Sequence, residues 1–285
     1  MKHSSCPYLL LGVIVSLSMS LTSCREDMKD LYQKAMTAYR HEEHEKAVKL
    51  FERILEKYPD HNLSRKARYE LGKIYLYKMK QPRKALKHLQ DLYAQSDPGK
   101  YSLEALKLIG HIYETSLNSC LEGIEAYRLL IQDYASNLVL DASEYQFAIA
   151  ECYFKSSEYQ LALIEYETLA EQYPESEYAY RARFQIANIY ALQEDWNQAI
   201  ALHEALLQDN ALPEQLSTDN RLELAFCYEQ NERFQDAVKL YEELLAVDSE
   251  QVIIDLSLVE RRMLRAEDAL KAAGKGPAKV DWKRR

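Results

Sequence analysis

The chain has 285 residues, a formal net charge of −9 and 47% apolar residues. That is enough apolar side chain for a large core, and too polar a composition for a multi-span membrane protein. Seven glycines and seven prolines against 22 tyrosines favour long helices over sheet, and the acidic balance argues against a nucleic-acid or general phosphate binder.

The N-terminus comes first. Lys2 and His3 precede an apolar run from Tyr8 to Met19, and Leu21-Thr22-Ser23-Cys24 follows. A run of about 12 apolar residues is shorter than the roughly 20 that a spanning helix needs. A charged start, a greasy stretch and a small-residue end are the parts of a secretory signal, which one reading cuts near Ser23. Leu-Thr-Ser-Cys also resembles the lipobox of bacterial lipoproteins. That resemblance implies that residues 1–23 are a lipoprotein signal peptide and that Cys24 becomes the first residue, carrying diacylglycerol and an N-acyl chain. Residues 24–27 are then a short tether. Several acyl chains anchor a protein stably where one is marginal. Arg25 follows the cysteine, where Asp is the signal for inner-membrane retention. The resemblance therefore implies the periplasmic face of an outer membrane, or the extracytoplasmic membrane surface of a cell without one.

Beyond the tether a pattern repeats. A small residue, an aliphatic neighbour and a bulky residue four positions on occur at Ala47-Val48…Phe51, Ala85-Leu86…Leu89, Gly123-Ile124…Tyr127, Ala162-Leu163…Tyr166, Ala199-Ile200…His203 and Ala237-Val238…Tyr241. Successive small residues are 38, 38, 39, 37 and 38 apart. A tyrosine stands 8 to 10 positions before each: Tyr39, Tyr75, Tyr113, Tyr153, Tyr190 and Tyr228. Five of them follow an aliphatic-small pair, such as Leu71-Gly72 or Ile186-Ala187, and the first repeat departs with Ala35-Met36. Apolar residues at spacings of three and four predict helices. A Gly or Ala lets two helices approach closely, a tyrosine fills the space beside it, and neither helix buries its stripe without its neighbours.

This pattern resembles the tetratricopeptide repeat. Leu71-Gly72-Lys73-Ile74-Tyr75 carries its first element in full, and Tyr58-Pro59 and Tyr173-Pro174 its last. The resemblance implies an all-α, right-handed solenoid of about six helix pairs over residues 28–250. Its period is 38 rather than 34, and the excess is expected at the turns holding Pro59, Pro98, Pro174 and Pro213. Residues 251–273 read as a capping helix from Val252 to Ala273, of the kind a solenoid end needs. Residues 274–285, with five basic residues and one acid, read as a flexible tail that could alternatively touch anionic lipid or an acidic partner.

No catalytic constellation, cofactor loop or metal motif emerges. His41-Glu42-Glu43-His44-Glu45 lacks the zinc-protease order and falls at a solvated turn. Cys120, Cys152 and Cys227 are an odd number; Cys152 and Cys227 sit in equivalent apolar slots two repeats apart and read as core. Binding is the better expectation. In tetratricopeptide arrays the first helix of each repeat lines a concave groove, and the resemblance carries the groove positions onto Tyr69, Lys73, Leu76 and Tyr77, then Lys107, His111 and Glu114. They continue with Phe147, Glu151, Phe154 and Lys155, then Phe184, Asn188 and Leu192, and end at Leu222, Phe226 and Gln230. Exposed aromatics there suggest a peptide or helix partner. The alternative is that Phe147, Phe184 and Phe226 are buried by the superhelical twist.

Signal, lipobox, period and Tyr-Pro repeat ends together resemble the BamD family of outer-membrane β-barrel assembly lipoproteins, which has about five repeats rather than six and no such basic tail. The resemblance implies a non-enzymatic scaffold, tethered to a membrane by lipid, that binds envelope proteins such as β-barrel assembly components. Alternatives are a pilotin-like lipoprotein assisting secretin or pilus assembly, and a substrate-binding lipoprotein with a closed cavity. No leftover segment is long enough to be a cell-wall hydrolase domain.

Overall fold

The structure is a computed structural model that describes residues 27–59, 61–94, 100–134, 140–246 and 252–274. The signal peptide, Cys24 and the basic tail beyond Gly274 lie outside the described residues. Among those described there is no strand, and no helix is long and apolar enough to cross a membrane.

Thirteen α-helices follow one another among the described residues: α1 Met28–Arg40, α2 His44–Lys57, α3 Asn62–Lys73, α4 Pro82–Ala94, α5 Lys100–His111, α6 Cys120–Tyr134, α7 Ala142–Lys155, α8 Tyr159–Gln172, α9 Glu177–Leu192, α10 Trp196–Leu207, α11 Glu214–Gln230, α12 Phe234–Leu245 and α13 Leu256–Ala272. Several begin at a side-chain cap. Asp27, Asp141, Ser176, Asp195 and Asp255 each accept a hydrogen bond from a first-turn backbone N–H. Each such cap contributes about 1 kcal/mol.

The chain divides into two compact units, one ending at Ile112 and the other starting at Tyr113. In the first, each of α1 to α4 packs on its successor, and the first helices α1, α3 and α5 also touch in series. In the second, α6 to α13 pack successively while α7, α9, α11 and α13 touch in series. This is the arrangement of a tetratricopeptide-like solenoid, with α13 taking the place of a further first helix.

The turn inside each repeat is built the same way six times. Glu42, Lys80, Asn118, Ser157, Glu194 and Glu232 have positive φ, between 52° and 61°. Each lies five positions before the small residue of its repeat. The next backbone N–H returns to a carbonyl five residues back, as in Glu158 to Tyr153 (2.9 Å), Asp195 to Tyr190 (3.0 Å) and Arg233 to Tyr228 (2.8 Å). This closes the helix end and satisfies an otherwise orphaned carbonyl. Glycine is the usual residue there, because a side chain in the left-handed region costs about 1–2 kcal/mol. Glu194→Gly is therefore expected to stabilise the protein by roughly 0.5–1 kcal/mol, net of the entropy glycine adds to the unfolded chain. Asn118→Gly should gain less, since Asn tolerates this conformation. Chemical unfolding of the two variants measures both.

Repeats two and three differ in one respect. Their tyrosines stand ten, not nine, residues before the small residue. The extra residue is absorbed by a π-helical turn, Ile74–Lys78 and Ile112–Ser116. The closing bonds then span six residues: Gln81 to Tyr75 and Ser119 to Tyr113, both 2.8 Å. Repeat one errs the other way. Its closing bond runs from Glu43 to Ala38, so Ala38 takes the tyrosine position and Ala35 is the small residue three before it. The expected departure at Ala35-Met36 is thus a shift of one residue. The period excess is not confined to the turns between repeats either. It also lies in the two π turns and in the lengths of α9 and α11, 16 and 17 residues against 13 in α1.

At Gly72, α3 and α4 pack closely. A Cβ built on it would stand 2.7 Å from Leu89 Cγ and Cδ2, and Leu89 is fully buried. Gly72→Ala is expected to cost about 1–3 kcal/mol of overpacking, more than the ~0.5–1 kcal/mol that alanine gains within a helix. The cost should shrink in a Leu89→Ala background, which a double-mutant cycle of unfolding free energies reads directly.

The tyrosines do more than fill space. Tyr75 Oη donates to Glu52 at 3.2 Å and Tyr228 Oη to Glu204. Glu52 and Glu204 each follow the bulky residue of the preceding repeat, so these hydroxyls tie repeat to repeat. At the C-terminus, Arg265 of α13 grips the buried carboxylate of Glu229 with two bonds of 3.0 and 3.1 Å, and Tyr241 Oη donates to the same group at 2.9 Å. The expected capping helix begins four residues later than its sequence pattern suggests. Gln215 holds the backbone of Ile253 by both its N–H and its C=O, and Asp255 caps the helix at Leu258.

Candidate functional site

The first helices α7, α9 and α11 of the second unit share a trough of about 260 Å³. Phe147 lines it from α7, Glu177, Arg181, Phe184 and Gln185 from α9, and Gln215, Leu216 and Asp219 from α11, with Pro213 just before. Its two phenylalanines are half-buried. Phe147 packs against Tyr166 and Tyr178, both with ring centroids 5.6 Å away. Phe184 presents an edge contact to His203 at 5.8 Å. Tyr166 and His203 are the bulky residues of their repeats, so the repeat anchor of each second helix supports a phenylalanine of the first. Phe147 and Phe184 are thus neither free of the core nor closed off within it.

Polar groups of the floor are held in place. Glu151 accepts from Tyr166 Oη and from Gln185 Nε2 at 3.0 Å, and Gln185 Oε1 accepts from Asn188 at 2.9 Å. Arg181 pairs with Glu177 at 2.5 Å and lies over the Tyr178 ring. On the α11 side, burial pushes the Asp219 carboxyl up from its ordinary value, against the hydrogen bond it accepts from Gln215. One turn on, burial also pushes Glu223 up, with Arg262 opposing. The trough thus has an aromatic floor and, in its α11 wall, the half-buried carboxylate of Asp219. A cation brought there would gain a partner.

Of the residues expected in a groove, Phe147 and Phe184 meet in this trough. Asn188 belongs to its supporting network. Phe154 turns to Tyr159 at 5.7 Å, and Leu192 is exposed at the end of α9. Phe226 is covered: Arg262 of the capping helix lies 5.0 Å over its ring and Trp196 meets it edge-on. In the first unit, Lys73 pairs with Glu70 and lies over Tyr69, Lys107 pairs with Glu104, and Tyr77 and His111 are exposed. Leu76 is a correction. It is buried, because the π turn rotates the helix inward just after Tyr75. Arg181, Gln185, Leu216 and Asp219 were not expected. Arg181, Leu216 and Asp219 lie about two to three turns before the repeat tyrosines, on the lengthened N-terminal parts of α9 and α11, beyond the groove positions that a 34-residue repeat supplies, while Gln185 directly follows Phe184. Among the described residues no group of three or more His, Cys, Asp or Glu is arranged to hold a metal ion.

Sequence profiles of the tetratricopeptide repeat match residues 31–61 and 144–176 in one version, and 182–214 and 222–251 in another. These are repeats one, four, five and six. No curated protein sequence matches the chain significantly. Among solved structures, the fold is similar to a tetratricopeptide repeat protein from Parabacteroides merdae, 14% identical over 88% of this chain and 94% of that one, with a TM-score of 0.53. Also similar are PilW, a type IV pilus biogenesis factor (16% identity, 77% and 92% covered, TM-score 0.47), and the P58(IPK) repeat domain (20% identity, 87% and 67% covered, TM-score 0.39). Identities this low bear on the fold alone. The chain is all-helical and carries tetratricopeptide repeats at these four places, a repeat type that serves as a scaffold for protein–protein interaction.

Proposed function

We propose that this scaffold is a lipoprotein, anchored by acylated Cys24 at an extracytoplasmic membrane surface, that binds an envelope protein during outer-membrane protein assembly. The observation that carries the binding part is the trough over α7, α9 and α11, where Phe147, Phe184 and Leu216 meet beside Asp219. Its occupant is a helix or extended segment with an apolar anchor and a neighbouring Lys or Arg: the anchor covers the rings and the cation meets the carboxylates. The anchoring part is supported by the lipobox-like Leu21-Thr22-Ser23-Cys24, which leaves only a short tether before α1 at Met28. The trough is open rather than closed, which favours a protein segment over an enclosed small ligand.

Cys24→Ala tests the anchor. The variant should move from the membrane to the soluble envelope fraction, and retention in the membrane would overturn the lipid reading. Crosslinking in intact membranes tests the role. Recovery of a β-barrel outer-membrane protein or its assembly partners is the expected result; recovery of a secretin would replace this role by the pilotin-like one.

A further inference from the structure

We propose that Cys120 and Cys152 form an intramolecular disulfide that clamps α6 to α7. Cys120 is the first residue of α6 and Cys152 lies in the last turn of α7. The two helices pack on each other across a short connection, so the start of one lies beside the end of the other. Cys120 is the thiol that acts on Cys152 across this helix pair, and both are free. Cys227 belongs to a different core cluster, around Leu224, Tyr241 and Val259. The spacing of 32 residues gave no hint of this contact, because it joins neighbouring repeats at non-equivalent positions.

The two thiols have different surroundings, and these set the order of events. Cys120 is half-buried, whereas Cys152 is fully buried. Burial, together with Cys120 and Glu114, pushes the Cys152 thiol far up, with Lys155 opposing. A thiolate is the attacking species, so the outer Cys120 reacts first. It attacks one sulfur of a small-molecule disulfide, the reagent's S–S bond breaks, and one thiol leaves. Cys152 then gives up its proton to the solvent and attacks Cys120 Sγ, expelling the second thiol. Two cysteine thiols are oxidised, one external disulfide is reduced to two thiols, and no other redox partner is needed. The step requires the sulfurs to come to about 2.05 Å, which rotation of Cys120 at its helix end can help supply.

The test uses the full chain, incubated with oxidised glutathione, alkylated and digested with trypsin for mass spectrometry. The expected product links peptide 108–128 to peptide 129–155 within one molecule, and leaves peptide 222–233, with Cys227, unlinked. The linked form should melt several degrees higher, reversibly on reduction, since the bond closes a loop of over 30 residues in the unfolded chain. Cys120→Ser should abolish the product. Cys152→Ala, a substitution the small apolar slot accommodates, should stall at a glutathione adduct on Cys120. Persistence of two free thiols, a stable adduct on Cys120 of the unaltered chain, or linkage to Cys227 or to a second molecule would overturn the proposal. The chemistry needs only the folded chain, so its failure leaves the membrane anchor and the trough untouched.

Discussion

Tyr166→Ala is expected to destabilise the protein by about 3–5 kcal/mol, whereas Tyr166→Phe should cost only about 1 kcal/mol. Tyr166 is fully buried at the crossing of α7 and α8, within a cluster that includes Ala150, Ala162, Leu169 and Ile186. Truncation removes the transfer energy of a whole ring and leaves a cavity that helices held by their neighbours cannot close. The phenylalanine variant keeps the ring and loses only the hydroxyl donated to Glu151, which retains its bond from Gln185. Because Phe147 rests on Tyr166, the alanine variant should also weaken whatever the trough binds, beyond its effect on the folded fraction. Chemical unfolding followed by circular dichroism separates the two variants. Equal costs would mean that the hydroxyl, rather than the ring, holds this crossing.

Asn220→Leu is expected to cost roughly 2–5 kcal/mol despite matching the volume and adding apolar surface. Asn220 and His203 are both fully buried. Asn220 Nδ2 donates to the His203 carbonyl at 3.0 Å, so its Oδ1 faces His203 Nδ1 at 2.7 Å as an acceptor, and Nδ1 carries the proton. Nε2 has no partner. Leucine would leave the buried Nδ1–H donor unpaired and strip the His203 carbonyl of its second bond, at about 1–3 kcal/mol for the donor alone.

The same site makes stability depend on pH. Burial holds the His203 imidazole below its ordinary value of 6.5, against the hydrogen bond to Asn220, and burial does the same at His88. The folded state therefore keeps these rings neutral while the unfolded chain takes up protons. Stability is full above pH 6.5 and falls on acidification from there toward the folded values, by up to about 1.4 kcal/mol per pH unit for each histidine. Asp219 and Glu223 act in the opposite sense at lower pH, because their raised carboxyls protonate first in the folded state. Unfolding free energies at pH 7.5, 6.5 and 5.5 should therefore decline, and a flat profile would contradict the buried neutral imidazole.

The fold was legible because two anchors recur at nearly constant spacing. The small residues Ala47, Ala85, Ala162, Ala199 and Ala237 are all fully buried where the pattern places them. What was not legible is what depends on one residue more or less. The ten-residue spacing before Ala85 and Gly123 was visible, but a spacing does not say whether a π turn or a longer loop absorbs it. Six left-handed residues are Glu, Lys, Asn and Ser, so no glycine announced them. The trough was half legible. Phe147 and Phe184 occupy groove positions of the repeat pattern, while Arg181, Leu216 and Asp219 enter only because α9 and α11 start early. The Cys120–Cys152 contact arises between non-equivalent positions of adjoining repeats, which a search for equivalent positions passes over.

The central claim is that partners are held on the trough and not on the outer helices. Photo-crosslinking from single positions in intact cells tests it most directly, with the photoreactive residue at Phe184 or Leu216 in the trough, or at Leu161 or Ile164 on α8, both exposed apolar positions away from the trough lining. The same covalent adduct is expected from Phe184 and Leu216, lost when Asp219 is changed to Lys, and no such adduct from Leu161 or Ile164. An adduct formed from Leu161 and Ile164 and not from the trough would contradict it.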